Sequence, residues 1–155
     1  MKRSEKYPDT KTFHYFNANP KNRMTGDCVY RALTVATGRK WEEMVFACAA
    51  MAVKRGFSPA SKETYGKVLE AFGFRKMKQP RKRDGTKFTG REFCEYLQKG
   101  FDNDWCGMVG DEGIEVGRNI VAHIGGNHVV AIKDGKVWDI WNSTGGCIGN
   151  YWVKE

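Results

Sequence analysis

Two strand-like runs in the last third of the sequence are separated by only two residues, Asp134 and Gly135. The runs, 127–133 and 136–141, are rich in Val, Ile and Trp, which favour β-strands. An Asp-Gly link between two such runs is among the strongest short-range signals for a β-hairpin with a type I′ turn. Because a two-residue turn also fixes the register, the residues that flank it, Lys133 and Lys136, are expected opposite each other.

Counting outward from this turn gives three further cross-strand pairs. They are Ile132 with Val137, Val130 with Asp139, and His128 with Trp141. Since side chains alternate across a strand, His128, Asp139 and Trp141 share one face of the hairpin. His128 and Asp139 are diagonal neighbours about 7 Å apart, a gap that an imidazole and a carboxylate can close. The register therefore predicts a histidine oriented by a carboxylate, with Trp141 as a wall of the site.

The first two thirds of the sequence carry helical patterns. Four helices are expected: from Cys28 to Thr37, from about Trp41 to Arg55, from the cap Ser61 to just before Gly73, and from the capping box at Thr89 to Gly100. A further strand is expected from 119 to 124. Helices first and strands last predict an α+β fold, a single domain over 1–155 whose helical N-terminal part packs on a short C-terminal antiparallel sheet.

Cys28 is the cysteine whose surroundings favour reactivity. It follows two candidate N-caps, Thr25 and Asp27, and begins a helix, where unpaired backbone N–H groups and the helix dipole stabilise a thiolate. The Cys28 N–H would face an oxyanion, and the Asn22 side chain is the candidate second donor. A packed, unreactive thiol is the alternative reading of Cys28 alone, and a neighbouring histidine shifts the balance toward a nucleophile.

The remaining cysteines and histidines give no second site. The five cysteines are an odd number without a Cys-x-x-Cys pair, so neither a disulfide framework nor a zinc ribbon is indicated. Four of them are expected to be dispensable: Cys48, Cys94, Cys106 and Cys147. His14 and His123 have no metal-ligand spacing, so no metal and no other cofactor is predicted.

Positive charge is concentrated between residues 75 and 87, where seven basic residues stand against one acid in a chain of net charge +8. This basic loop is either a solvated surface segment or a contact for nucleic acid or an acidic partner through Arg81, Lys82 and Arg83. The charged N-terminal residues are followed by no apolar run, and no stretch is long enough to span a bilayer. A cytoplasmic location without membrane contact is expected.

The motifs resemble those of papain-like cysteine peptidases. Asn22 lies six residues before Cys28, a histidine begins a late strand, and Asp139-Ile-Trp141 follows on the next strand. Gly26-Asp-Cys-Val-Tyr-Arg-Ala-Leu and His128-Val-Val-Ala-Ile are also similar to leader peptidases fused to bacteriocin transporters, and the run as a whole resembles short proteins encoded by bacterial phages.

This resemblance implies a papain-like fold and a catalytic triad of Cys28, His128 and Asp139, with Asn22 in the oxyanion hole. It covers the motif regions and not the segment from 39 to 118. The family usually has Gln where this chain has Asn22, and the chain is much shorter than papain, which implies reduced substrate subsites. Gly126, before the histidine, is either a simple turn residue or a site wall that lets a substrate backbone approach.

The sequence thus predicts a cysteine peptidase, or an amide or isopeptide hydrolase, that acts on a peptide or protein through a thioester. An acyltransferase or transglutaminase would use the same triad with a different acceptor. A catalytically inactive papain-like protein that binds partners through the basic loop is the alternative from another functional class.

Overall fold

The computed structural model describes residues 1–99 and 118–154. Within these residues, five helices and six strands form a mixed α+β arrangement. The helices are α1 (Arg3–Lys6), α2 (Cys28–Thr37), α3 (Trp41–Arg55), α4 (Lys62–Ala71) and α5 (Gly90–Lys99). The strands are β1 (Phe13–Tyr15), β2 (Phe74–Met77), β3 (Ile120–Ile124), β4 (His128–Lys133), β5 (Lys136–Asp139) and β6 (Ile148–Lys154). None of these helices has the length and apolar content to cross a bilayer.

The six strands form one sheet in the order β1-β5-β4-β3-β6-β2. The β1–β5 pair is parallel and the other four pairs are antiparallel. The predicted sheet, antiparallel and C-terminal, is therefore wrong in two respects, because one pairing is parallel and two strands come from the N-terminal part. β1 and β2 are three and four residues long, too short to show a period, and their partners lie far away in sequence.

The hairpin between β4 and β5 has the predicted turn and register. Asp134 and Gly135 have φ values of 54° and 72°, as a type I′ turn requires. Lys133 pairs with Lys136 across the turn. The ladder between β4 and β5 ends at the pair of Ala131 with Trp138, however, and β5 itself ends at Asp139. The predicted ladder pairs of Val130 with Asp139 and of His128 with Trp141 are therefore wrong. The strand stops at Asp139 because the Asp139 carboxylate accepts a hydrogen bond from the next backbone N–H (2.7 Å), a local bond that competes with the ladder.

The helix predictions agree closely with the structure. α2 covers the predicted residues and ends at Gly38, which has a φ of 72°. Ser61 Oγ accepts from the Thr64 N–H at the start of α4. The Thr89 capping box before α5 is complete, because Thr89 and Glu92 each accept the other's backbone N–H. The predicted end of this helix, Gly100, lies outside the described residues, and α1 was not predicted.

Helices cover both faces of the sheet. On one face, α2, α3 and α4 pack against strand residues that include Val121, Val129 and Ala131. On the other face, α5 packs against the alternate residues, among them Val130 and Val137. The alternation follows the period of two expected for strands. Packing of α2 against β4 brings the first residue of α2 to the first residue of β4, and the candidate site lies at that meeting point.

Candidate active site

Cys28 is the first residue of α2 and is half-buried. Its sulfur accepts a hydrogen bond from the backbone N–H of Val129 on β4 and contacts the imidazole of His128. The side chain is therefore held between a helix N-terminus and the start of a strand. Both surroundings stabilise negative charge on sulfur.

The imidazole of His128 contacts two partners. Its Nε2 lies 2.5 Å from Asp139 Oδ2. The ring is also hydrogen-bonded to Cys28, and because Nε2 is engaged by the carboxylate, Nδ1 is the atom left for the sulfur. The three predicted catalytic residues are thus in contact in the predicted order, sulfur to imidazole to carboxylate.

These contacts move the pKa values of both groups. Burial raises the pKa of Cys28, but the hydrogen bonds from His128 and Val129, with the charges of His128 and Arg31, outweigh it and lower the pKa below its usual value. Burial lowers the pKa of His128, yet the bonds to Asp139 and Cys28 and their charges raise it to about 9. Both shifts favour the form of the pair in which Cys28 is a thiolate and His128 an imidazolium.

Asp139 is 3% exposed and is held by several groups besides His128. Its Oδ2 accepts from Ser143 Oγ at 3.0 Å, and its Oδ1 accepts from the Ile140 N–H at 2.7 Å. The guanidinium of Arg31 lies 3.5 Å from Oδ1. A carboxylate fixed by this many partners holds the histidine ring in a single orientation.

A buried polar network beneath Cys28 was not predicted from the sequence. Arg31, 7% exposed, forms an ion pair with Asp27 at 3.0 Å and a longer one with Asp139. Asp27 also accepts from Asn19 Nδ2 (3.0 Å) and Trp41 Nε1 (3.1 Å). Asp27 occupies the N-cap position of α2, as predicted, but its side chain makes no capping bond. The available signal was the spacing of Asp27 and Arg31, four residues apart on a helix whose neighbours are apolar.

The predicted site walls differ in what they contact. The ring of Trp141 lies 5.1 Å from the ring of His128, tilted by 38°, and covers one side of it although 38% of Trp141 is exposed. Gly126 lies in the turn before β4 and is exposed, and a Cβ placed there would meet nothing within 4 Å. The space next to Gly126 is therefore open, which is a requirement of the interpretation that Gly126 lets a substrate backbone approach the site.

Asn22 lies in the loop before α2, is exposed and has a positive φ of 52°. Its Oδ1 accepts a hydrogen bond from Asn17 Nδ2 at 3.3 Å. Asn22 and Asn17 line a surface cavity of about 410 Å³ together with Tyr15 and Met24. Its role as an oxyanion donor stays a prediction.

The other cysteines and histidines lie in different surroundings. Burial raises the pKa of Cys48 to about 11 and that of Cys94 to about 12. Cys147 is exposed, and Cys106 lies outside the described residues. Burial lowers the pKa of His123, and the positive charges of Lys62 and His128 lower it further. The described residues contain no group of three or more side chains placed to hold a metal.

The basic segment 75–87 is not a loop throughout, because its first three residues belong to β2, and most of the residues that follow are exposed. The Arg81 side chain donates to the Gly85 carbonyl at 3.1 Å and to Gln79 Oε1 at 3.0 Å, and the backbone of Arg81 pairs with that of Lys87 in an isolated antiparallel β-bridge. Lys82 is half-buried and forms an ion pair with Glu92 on α5, whereas Arg83 is exposed. The three residues predicted to bind a partner therefore do not form one uniform cationic surface, because Lys82 is neutralised within the chain.

In comparisons with known proteins, no family model, no curated protein and no solved structure matches this chain. The function of the site is therefore inferred from its own geometry and chemistry.

Proposed function

We propose that this protein is a cysteine hydrolase with a papain-like triad, in which Cys28 is the nucleophile, His128 its base and Asp139 the orienting carboxylate. One observation carries the proposal: the imidazole of His128 bridges the carboxylate of Asp139 and the thiol of a cysteine at a helix N-terminus. The substrate class is a peptide or protein with an amide or isopeptide bond, because a thiolate–imidazolium pair attacks carbonyl carbon at neutral pH.

In the first half-reaction, the Cys28 thiolate attacks the amide carbon, and a carbon–sulfur bond forms as the carbonyl oxygen becomes an oxyanion. The backbone N–H of Cys28 and the side-chain amide of Asn22 are the proposed donors to that oxygen. The imidazolium of His128 donates its Nδ1 proton to the leaving nitrogen, the carbon–nitrogen bond breaks, and the amine departs. The acyl group then remains on Cys28 as a thioester.

In the second half-reaction, the neutral imidazole takes a proton from water, and the resulting hydroxide attacks the thioester. The carbon–sulfur bond breaks, the acid leaves, and the thiolate–imidazolium pair is restored. Asp139 retains its negative charge throughout and keeps Nε2 of His128 protonated, so that Nδ1 always faces the sulfur. An amine in place of water would give acyl transfer by the same steps.

The proposal is tested by alkylation of the intact protein with iodoacetamide across a pH series, with the modified cysteines identified by mass spectrometry. Cys28 should react faster than the exposed Cys147 below pH about 7, because only a thiolate with a lowered pKa persists there. His128→Ala should abolish this advantage and leave the labelling of Cys147 unchanged. If Cys28 reacts no faster than Cys147 in both the wild type and His128→Ala, the result contradicts the proposal and favours an inactive binding protein.

A second measurement separates hydrolysis from acyl transfer. Peptide libraries are incubated with the wild type and with Cys28→Ser, in the presence and absence of a primary amine. If the wild type releases free acid about 10³-fold or more faster than Cys28→Ser does, the protein is a hydrolase. Products in which the amine has replaced water as the main acceptor identify an acyltransferase.

A further inference from the structure

The outward face of α3 carries an apolar stripe that the fold leaves uncovered. Phe46 is 74% exposed and Val53 is 88% exposed, with the exposed Ala50 between them. Positions 46, 50 and 53 are spaced by four and three residues and therefore lie on one side of a helix. The opposite side of α3 is already buried in the core through Met44 and Cys48. Two large apolar groups on one solvent-facing stripe indicate a contact with another surface.

The charges of α3 suggest what that surface is. The first turn holds Glu42 and Glu43, and the last turn holds Lys54 and Arg55. Glu43 and Lys54 lie within about 20° of each other around the helix axis, at opposite ends of the stripe and on the same flank of it. Arg39 lies 3.9 Å from Glu43, at the limit of an ion pair and on the exposed surface, so Glu43 remains accessible to a second cation.

The stripe has an acidic residue at one end and a basic residue at the other. When two copies of the stripe face each other in antiparallel orientation, the acidic end of each lies next to the basic end of the other. In an antiparallel pair of helices related by a two-fold axis, each flank faces the same flank of the other helix. An axis through the middle of the stripe, between Ala49 and Ala50, would therefore bring Glu43 near Lys54 of the partner subunit. The same symmetry would place Phe46 against Val53 of the partner subunit, and each contact would occur twice.

We propose that this chain forms a two-fold homodimer in which α3 packs antiparallel on α3 of a second copy through the stripe of Phe46, Ala50 and Val53. A single helix of 15 residues gives an interface at the small end of the known range, so we expect a Kd of about 10 to 100 μM. The dimer does not depend on the proposed hydrolase activity, since α3 supplies none of the three triad residues.

The test is sedimentation velocity of the full chain over a concentration series that spans this Kd. A reducing agent is present so that the exposed Cys147 cannot link two copies. Wild type should shift from monomer to dimer as the concentration rises, and Phe46→Asp should stay monomeric. Circular dichroism should show the wild-type fold for this variant, because Phe46 makes few contacts in the monomer. Wild type that stays monomeric throughout the series overturns the proposal.

Charge reversal tests the antiparallel arrangement. Glu43→Lys and Lys54→Glu should each weaken association by about tenfold, because each places two like-charged pairs across the symmetric interface. The double variant should recover to within about threefold of wild type. Lys87→Glu is the matched control for Lys54→Glu, since both replace a lysine by a glutamate. Lys87 lies away from α3, next to Phe88 of the core cluster on the other face of the sheet. Association that the single reversals leave unchanged, or that the double variant does not restore, refutes the arrangement.

Discussion

The protonation of His128 provides a direct test of the site, and no substrate is needed. The bonds to Asp139 and Cys28 raise its pKa from 6.5 to about 9 despite burial. At 1.36 kcal/mol per pH unit this is about 3 kcal/mol in favour of the imidazolium, or about 2 kcal/mol after a discount for solvent screening at the exposed edge of the ring. Asp139→Asn removes the negative charge 2.5 Å from Nε2 while preserving the shape of the side chain. We expect it to lower the pKa of His128 by about one pH unit or more.

The measurement is an NMR titration of the histidine ring carbons. The protein has three histidines, and His128→Gln identifies the signal of His128 by its loss. In the wild type one signal should titrate near pH 9, and His123 should titrate below its usual value because burial disfavours its charged form. Cys28→Ser should also lower the pKa of His128, since it removes the second partner. If no histidine titrates above pH about 7.5, or if Asp139→Asn leaves the highest value unchanged, the account of the triad is wrong.

Three further predictions concern stability, measured by urea denaturation. Arg31→Met should reduce the free energy of unfolding by about 3 to 5 kcal/mol, because it leaves the buried Asp27 carboxylate without its cation and leaves Asp139 with His128 alone. Arg39→Met, which removes an exposed pair, should change the free energy of unfolding by about 0.5 kcal/mol or less. Equal effects of the two arginines would contradict the proposed importance of the buried network. Gly90→Ala should lower the free energy of unfolding by about 1 to 3 kcal/mol, because a Cβ at this position would lie 2.8 Å from the Ile124 side chain. Gly126→Ala is the control and should not show such a loss, because a Cβ at Gly126 meets nothing within 4 Å. Ser143→Ala should lower the free energy of unfolding by about 1.5 to 3 kcal/mol, because the hydrogen bond to the Asp139 carboxylate is lost. An unchanged urea midpoint of unfolding would show that this hydrogen bond contributes little to stability.

The parts of the fold that the sequence predicts are those with local signals. The Asp134-Gly135 turn sets the β4–β5 register, the Thr89 capping box marks the start of α5, and apolar spacing followed by a glycine defines α2. β1 and β2 have no such signal because each exists only through a partner far away in sequence. β6 was missed because it follows a glycine-rich segment and no turn motif ties it to its neighbours β3 and β2.

The candidate site shows the same division. His128 and Asp139 could be paired from the hairpin register, and Cys28 from its place at a helix start, because each depends on local geometry. The spacing of Asp27 and Arg31 allows an ion pair on α2, but it does not show that Arg31 is buried, because a helical pattern does not distinguish a buried arginine from an exposed one. Its burial follows from two carboxylates, one next to it on α2 and the other brought from β5 by the tertiary fold.

The order of strands in the sheet has a consequence for how the protein is made. β6 lies between β3 and β2, and Phe74 of β2 pairs with Lys154 of β6. Among the described strands, β2 therefore has no sheet neighbour during synthesis until β6 has left the ribosome. Pairings this distant in sequence slow folding, and an unpaired strand edge promotes aggregation while it waits. We expect nascent chains that stop before β6 to depend on chaperones, although the triad residues themselves are already present in them.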